Sequence, residues 1–253
     1  MTELVVNQLG VSIDDVTLVK DVSFTMKPGE LVTVLGPNGA GKTKMLRAAI
    51  GLEKLTSGNA SLGGVDTNIL DPISRAMKLS YLPQTRPLAW PNRVRDIVAL
   101  GRFSHGAALN RLKGRDLEAV ENAMRDCDIT RLANRKADTL SGGELARVHC
   151  ARAFAAQAPL FVADEPVAAL DPRHQFRVMD LIAAYVKRGG GALVVLHDIG
   201  LAARYADRMI WMAKGAVVAD GPPDETLTEN RLAALYGVKS KIDGVRIEID
   251  GVI

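Results

Sequence analysis

The N-terminal part of the chain alternates apolar and polar residues in short runs. These runs cover residues 4–35 and are interrupted at Asp14-Asp15 and Pro28-Gly29, which are typical turn sequences. Strict alternation places successive side chains on opposite faces of an extended strand. The pattern therefore predicts antiparallel strands joined by turns.

A strand, a glycine-rich loop and a helix follow in that order. The strand is Leu31–Leu35, helical spacing runs from Lys42 to Ile50, and Gly51 suits the end of the helix. Further short apolar runs, separated by helical stretches, lie at Phe161–Ala163, Leu193–Leu196 and Met209–Met212. Strands that alternate with helices favour a parallel sheet covered by helices. The predicted fold class is α/β.

The segment after Asp171 carries several agreeing helix signals. Asp171 can cap the helix, Pro172 suits its first turn, and the glycines at 189–191 end it. Apolar residues recur at helical spacing and predict one buried face, made of Phe176, Met179, Ile182 and Val186.

The chain is predicted to be a single domain over residues 1–253 with an insertion. Residues 1–86 and 141–238 form the predicted core, with an antiparallel β subdomain at its N-terminus. Between them, residues 87–140 lose β-branched runs and gain charged helical patterns, so a helical subdomain is expected there. Residues 239–253 are predicted to form a hairpin extension around Asp243-Gly244.

Composition excludes several classes of protein. The 253 residues are 47% apolar and 24% charged with a formal charge of +3, which suits one large globular unit rather than a disordered or nucleic-acid-binding chain. No apolar run approaches the roughly 20 residues of a membrane span, and the N-terminus does not resemble a secretory signal. A cytoplasmic protein with ordinary buried thiols at Cys127 and Cys150 is expected.

A phosphate-binding motif lies between the strand and helix described above. Its residues fit the pattern G-x-x-x-x-G-K-[ST] and are Gly36, Pro37, Asn38, Gly39, Ala40, Gly41, Lys42 and Thr43. Glycines allow the backbone to wrap around anionic oxygens, and the positive end of the helix stabilises them. Lys42 would bind the β and γ phosphates of a nucleoside triphosphate, and Thr43 would place its hydroxyl on Mg²⁺.

A second motif distinguishes among phosphate-loop proteins. Leu140–Glu144 reads Leu-Ser-Gly-Gly-Glu, and with the motifs around it the chain resembles the ATP-binding-cassette ATPases of membrane transporters. The resemblance covers nearly the whole chain in the right order and continues at Tyr81–Gln84, Leu160–Pro166, Ala168–Asp171 and His197.

The resemblance implies a head-to-tail dimer with two ATP molecules held between the copies. Each ATP would be bound by one phosphate loop and by Ser141, Gly142 and Gly143 of the other copy, whose helix N-terminus faces the γ phosphate. Asp164 would hold Mg²⁺ and Glu165 would position the attacking water. Gln84 would contact Mg²⁺ and water, His197 the γ phosphate, and Asp171 the dimer interface.

Three positions depart from the family pattern. Ile13 stands where an aromatic residue usually stacks on adenine; because such stacking contributes roughly 1–3 kcal/mol, modest ATP affinity is expected. Lys44 replaces a small hydroxyl residue and adds charge near the phosphates, with an effect of either sign. Ala163 replaces a larger apolar residue before Asp164 and is expected to loosen the packing there.

Weaker resemblances indicate the branch of importers for iron-siderophore, haem or cobalamin. They are Val94–Val98 with Gly101-Arg102, and Leu235–Val238. The implied partners are integral-membrane permeases at the inner face of the membrane and, indirectly, an extracytoplasmic solute-binding protein, with no nucleic acid. The segment Leu88–Val98 is expected to contact the permease through Trp90, unless Trp90 is simply core.

Three alternatives remain open. One is the ATPase of an importer for another solute or of a separate-subunit exporter, since the sequence does not identify the solute. Another is a soluble cassette protein acting on ribosomes or DNA, although those usually carry two cassettes or a long coiled coil. A regulator that binds nucleotide without hydrolysis is suggested by Ile13 and Lys44, and the intact Asp164-Glu165 pair argues against it.

Overall fold

The computed structural model describes residues 2–84, 92–108 and 111–253. The chain divides into two compact units: unit 1 is Met1–Leu70 with Ala192–Ile253, and unit 2 is Asp71–Gly191. Trp90 and the first part of the segment expected to contact the permease lie outside the described residues. In the described ranges no helix is long and apolar enough to cross a membrane.

Unit 1 contains an antiparallel sheet built from the alternating N-terminal segment. Its strands lie in the order β2-β1-β4-β5, and their bounds are β1 Leu4–Ile13, β2 Val16–Met26, β4 Ser57–Leu62 and β5 Val65–Asp66. The long β1–β2 pairing is interrupted by irregularities, and Gln8 and Asp21 adopt positive φ angles of 48° and 52° there. Such interruptions bend and twist a ribbon of this length.

A second group of strands in unit 1 is mainly parallel and lies in the order β10-β9-β3-β8. The bounds are β3 Leu31–Leu35, β8 Gly191–Val195, β9 Arg208–Ala213 and β10 Ala216–Gly221. Strand β3 pairs in parallel with both β8 and β9, and all five of its residues are buried. A strand with neighbours on both sides and covered faces has no solvent side, which explains why its sequence is continuously apolar apart from one threonine.

The remaining elements of unit 1 are helices and a C-terminal hairpin. The helices are α1 Lys42–Ala49, α7 Ile199–Tyr205, α8 Pro223–Thr226 and α9 Glu229–Tyr236. The hairpin pairs β11 Val238–Asp243 with β12 Arg246–Val252. It is joined to α9 by the backbone N–H of Ile242, which donates to a Glu229 carboxylate oxygen at 3.2 Å.

Unit 2 is mainly helical and contains one pair of parallel strands. The strands are β6 Leu79–Leu82 and β7 Leu160–Asp164. The helices are α2 Pro72–Lys78, α3 Val94–Ala99, α4 Gly114–Asp126, α5 Gly142–Ala155 and α6 Pro172–Lys187. They are joined by short 3-10 helices at Leu100–His105, Thr130–Leu132 and Ala137–Thr139.

Helix α6 begins and ends where its sequence signals indicated. The Asp171 side chain accepts the backbone N–H of His174, and Pro172 occupies the first turn. Met179, Ile182 and Val186 are buried as expected. Phe176 is 39% exposed, so its expected burial was wrong; helical spacing predicts which residues share a side of a helix but not how wide the covered stripe is.

The predicted α/β class is confirmed, with parallel strands, an N-terminal antiparallel part and a helical part. Cys127 and Cys150 are both free and buried, as expected. Ala163 is fully buried. Its side chain, shorter than the apolar residue usual in the family, is in the interior, at the residue of β7 that pairs with Leu82 of β6.

Candidate functional site

The phosphate loop links β3 to α1 in unit 1 and needs its glycines for two physical reasons. Gly39 and Gly41 have φ angles of 79° and 92°, which residues with a Cβ rarely adopt. At Gly36 a Cβ would lie 2.1 Å from the Met212 carbonyl oxygen, and at Gly41 it would lie 2.6 Å from the Leu18 carbonyl oxygen. The backbone of strands β9 and β2 thus comes so close to the loop that only glycine fits at positions 36 and 41.

Lys42 lies at the start of α1 and folds back over the loop. Its Nζ donates to the carbonyl oxygens of Gly36 at 2.7 Å and Pro37 at 3.0 Å, and its side chain is buried. These bonds hold the ammonium group against the loop, where its positive charge can stabilise a bound anion. Thr43, the next residue, is half-buried.

Lys44, the residue that follows the motif, has a different role. Lys44 Nζ donates to both carboxylate oxygens of Glu53, at 3.1 and 3.2 Å, and Arg47 Nε lies 3.0 Å from the same carboxylate. Glu53 therefore offsets the extra charge that the sequence placed near the phosphates. Sequence reasoning missed Glu53, because no local pattern pairs it with Lys44.

Ile13 is the last residue of β1 and precedes the Asp14-Asp15 turn. Its side chain is 43% exposed. A branched aliphatic group is available there to contact a ligand, but it lacks the flat π face of the aromatic residue that the family resemblance led us to expect.

Tyr236, at the end of α9, reaches the same loop and was not predicted as a site residue. Burial raises the pKa of Tyr236, and a backbone hydrogen bond from Gly36 opposes that rise. The Tyr236 hydroxyl therefore lies close to the Gly36 backbone at the start of the phosphate loop. The Leu235–Val238 segment carried a signal for the importer branch in the sequence, but none for this contact.

The carboxylates of unit 2 lie at the end of β7. Strands β6 and β7 pair in parallel with Leu82 opposite Ala163, so the residues that follow them emerge at one edge. Asp164 is 1% exposed and Glu165 follows it with a φ of 49°. Such backbone strain in a residue with a Cβ is concentrated at functional sites.

Gln84 emerges from β6 beside that edge. Its amide Nε2 donates to Glu165 Oε2 at 2.6 Å. The two residues were assigned to the same chemistry from separate motifs, and the structure brings their side chains into contact. Of the two carboxylate oxygens of Glu165, Oε2 is the one that accepts the Gln84 amide.

The signature turn opens α5 with a capping box. Ser141 Oγ accepts the Glu144 N–H at 3.3 Å, and the Ser141 N–H donates to Glu144 Oε2 at 3.1 Å. This backbone hydrogen bond from Ser141 lowers the pKa of Glu144. The N–H groups of Gly142 and Gly143 lie between these two in the first turn, where the positive end of the helix stabilises an anion.

Asp171 and the signature turn are connected through a histidine that sequence reasoning missed. His174 Nδ1 lies 2.8 Å from both carboxylate oxygens of Asp171. A Cβ on Gly143 would lie 2.0 Å from His174 Cδ2. The pKa of Asp171 is lowered, chiefly by the backbone hydrogen bond from His174 and then by the side-chain bond. No motif of the sequence indicated this contact.

His197 follows β8 in unit 1 and is exposed. The next residue, Asp198, caps α7 by accepting the Leu201 N–H at 2.8 Å. His197 is therefore held at a fixed point between a buried strand and a helix start, at the carboxyl end of a strand parallel to β3.

These features define the class of protein. Two features are characteristic of a phosphate-loop nucleotide-binding ATPase. The first is a strand–loop–helix phosphate site with a buried lysine, and the second is a pair of carboxylates at the end of a parallel strand. The family model described as "ABC transporter" matches residues 19–168. The chain belongs to the ABC transporter family and is an ATPase of that family.

Similar sequences and solved structures are consistent with this family assignment. The chain is 40% identical to a hemin import ATP-binding protein of Nocardia farcinica, over 92% of this chain and 80% of the relative. A dimeric bacterial ABC transporter cassette superposes with a TM-score of 0.76 at 28% identity, covering 87% of this chain and 98% of the other. A metal-chelate type ABC transporter superposes with a TM-score of 0.82 at 23% identity, covering 98% and 96%, which shows the fold.

Proposed function

We propose that this chain is the ATP-hydrolysing subunit of a bacterial importer for haem or a related iron chelate. The contact between Gln84 and Glu165 beside Asp164 supports hydrolysis rather than mere nucleotide binding. Similarity to hemin import ATP-binding proteins supports the solute class. The chain would work at the inner face of the membrane, bound to a permease that receives solute from an extracytoplasmic binding protein.

Each site residue has a proposed role in ATP hydrolysis. Residues 36–43 bind the phosphates through backbone N–H groups and Lys42, and Ile13 contacts the adenine. Glu165 positions the attacking water, Gln84 orients Glu165, and His197 contacts the γ phosphate. The half-buried Thr43 and exposed His197 are accessible for these roles.

The donor set fits Mg²⁺. Thr43, Asp164 and Gln84 offer hydroxyl, carboxylate and amide oxygens, the hard ligands that Mg²⁺ prefers. Gln84 already donates its Nε2 to Glu165, so its amide oxygen is the end that would face a cation. In the described part of the chain no group of three or more His, Cys, Asp or Glu could hold a metal alone. Mg²⁺ is proposed to bind together with the phosphates and neutralise their charge.

Hydrolysis is proposed to need a second copy of the chain. Ser141, Gly142 and Gly143 would bind the γ phosphate held by the other copy, and Asp171 would contact the other copy's phosphate loop. Ser141 and Gly142 are exposed at the start of α5, and with the exposed Asp171 side chain they support this arrangement. Loss of the γ phosphate would remove the contacts that hold the copies together.

An apolar surface of unit 2 is the proposed permease contact. It is formed by α2 and the 3-10 helix Leu100–His105, which contacts α2. Its exposed apolar residues are Ile73, Met77, Leu100 and Phe103. Phe103 is 69% exposed. Exposure of a group of large apolar side chains to water is unfavourable, and such patches often mark a contact site for another protein. Phe103→Ser should lower transport by the reconstituted complex while leaving the ATPase activity of the isolated chain unchanged. Val218→Ser, at an exposed apolar residue of β10, is the matched control.

The first experiment measures Mg²⁺-dependent ATP hydrolysis over a range of protein concentrations, beside Glu165→Gln. Turnover should rise more steeply than protein concentration, and Glu165→Gln should abolish hydrolysis while an ATP-held dimer accumulates. Glu118→Gln, at an exposed residue of α4, should behave as the unchanged protein. ATP binding without hydrolysis, with and without permease, would favour the regulator alternative.

The solute is tested separately. The chain and the permease encoded beside its gene are reconstituted in vesicles with the binding protein and offered haem, a ferric siderophore or cobalamin. ATP-dependent haem uptake is expected. Uptake of another solute, or ATP-dependent export, would identify one of the transporter alternatives, and ribosome- or DNA-stimulated hydrolysis would identify the soluble class.

A further inference from the structure

The His174 side chain lies against both Asp171 and Gly143. Its Nδ1 lies 2.8 Å from each Asp171 oxygen, and its backbone N–H donates to Asp171 Oδ1 at 3.0 Å. Because a carboxylate only accepts, Nδ1 carries the proton. The ring is therefore held at a fixed angle by the residue that caps α6.

The other side of the same ring is packed against Gly143. A Cβ at Gly143 would lie 2.0 Å from Cδ2, 2.5 Å from Cγ and 2.6 Å from Nε2 of His174. No real Cβ approaches so closely, so the imidazole occupies the space that a side chain at residue 143 would need. Gly143 itself is buried. This gives a physical reason for the second glycine of the signature turn, besides its approach to an anion.

A second contact joins the same two segments. A Cβ on Gly142 would lie in ordinary contact with Leu170 Cδ2 at 3.9 Å. Between Leu170 and the end of β7, Ala169 adopts a φ of 61°, a conformation that surrounding contacts have to hold in place. The loop that ends at Asp171 and the start of α5 are thus packed together inside unit 2.

We propose that His174 is a positioning residue of the composite ATP site, fixing the signature turn and Asp171 in one arrangement that a second copy can bind. The inference rests on the proposed function, in which both segments face the other copy. His174 itself does not contact ATP. Its effect is on the closing of the dimer and not on the binding of ATP to the phosphate loop of the same chain.

The test separates these two steps in the Glu165→Gln background, where ATP-held dimers accumulate. His174→Ala should weaken the ATP-dependent dimer by about tenfold or more, because it removes both the packing and a charge-assisted hydrogen bond. Affinity for ATP at protein concentrations too low for dimers should stay within about twofold. The melting temperature should fall by only about 2–4 °C, the effect of a loss of about 1 kcal/mol. Dimerisation is followed by analytical ultracentrifugation, and ATP affinity by titration with a fluorescent analogue.

Two further variants separate packing from hydrogen bonding. His174→Asn keeps a donor near Asp171 without filling the ring's space, and His174→Phe fills the space without donating. Both should lie between His174 and His174→Ala in dimer affinity, and they remain informative if the alanine variant fails to fold. His105→Ala, which removes a half-buried ring bonded at 2.9 Å to the Ala156 carbonyl, is the matched histidine control.

The outcomes distinguish this inference from the proposed function. If Glu165→Gln alone forms no ATP-dependent dimer, the proposed shared site is wrong. If it does, and His174→Ala dimerises within twofold of it, His174 has no positioning role. Equal losses of ATP affinity and dimerisation would also overturn the inference, since they would indicate a general structural defect.

Discussion

Gln84 Nε2 donates to Glu165 Oε2 at 2.6 Å, a contact set by the parallel register of β6 and β7. The register places Leu82 opposite Ala163, so the segments that follow β6 and β7 leave the sheet at the same edge. Glu165 takes a left-handed backbone conformation to do so. The Gln84 amide is neutral, so it donates a hydrogen bond to the proposed water-positioning carboxylate without adding a charge beside it.

Gln84→Glu should move the acidic limb of the rate–pH profile to higher pH. Two carboxylates at this separation cannot both be ionised without a large repulsion, so the pair keeps a proton over a wider pH range. Because the proposed role of Glu165 needs its charged form, kcat should fall at pH 7 and recover partly as the pH rises. The profile of steady-state kcat from pH 6 to 9 tests this.

Gln84→Ala is the control for that prediction. It removes the hydrogen bond without adding charge, so it should lower kcat with little change in the shape of the profile. An unshifted acidic limb in Gln84→Glu would show that the Glu165 charge does not limit hydrolysis.

Ile13→Tyr should strengthen ATP binding by about tenfold, since stacking on adenine contributes roughly 1–3 kcal/mol. Ile13 is 43% exposed, so a larger ring is accommodated without repacking the core. Isothermal titration with ATP at low protein concentration gives the affinity. Val65→Tyr, at a comparably exposed residue of the same sheet, should leave it unchanged. Equal affinities for Ile13→Tyr and the unchanged protein would mean that adenine binds elsewhere.

Much of the fold follows from local patterns. Helix α6 was predicted from its cap, proline and spacing, and the phosphate loop from its motif. The contacts of Glu53, His174 and Tyr236 could not be predicted, since each joins segments whose approach depends on packing rather than local sequence. The exposure of Phe176 was wrong for a related reason, because periodicity does not reveal how much of a helix its neighbours cover.

The two lysines of the phosphate-loop helix should differ sharply when replaced. Lys42→Ala should weaken ATP binding by about 100-fold or more, because it removes a buried charge held against the loop. Lys44→Ser should change the affinity by no more than about twofold, since Glu53 already pairs its ammonium in a partly exposed site. Both affinities come from the same titration, repeated at two salt concentrations. A large, salt-dependent effect of Lys44→Ser would show that Glu53 does not offset its charge.

Tyr236→Phe should weaken ATP binding about threefold to tenfold, with kcat at saturating ATP changed much less. The substitution removes only the hydroxyl that lies close to the Gly36 backbone, and a net hydrogen bond of about 0.5–1.5 kcal/mol between the two corresponds to this range of affinities. The bond preorganises the phosphate loop, so its loss lowers the fraction of molecules with a binding-competent loop. Tyr185→Phe removes an equally buried hydroxyl that donates to the Ala158 carbonyl far from the loop in sequence, and it should lower stability without changing KM. If the two variants lower stability alike and neither changes KM, the hydroxyl of Tyr236 stabilises the fold and does not organise the loop.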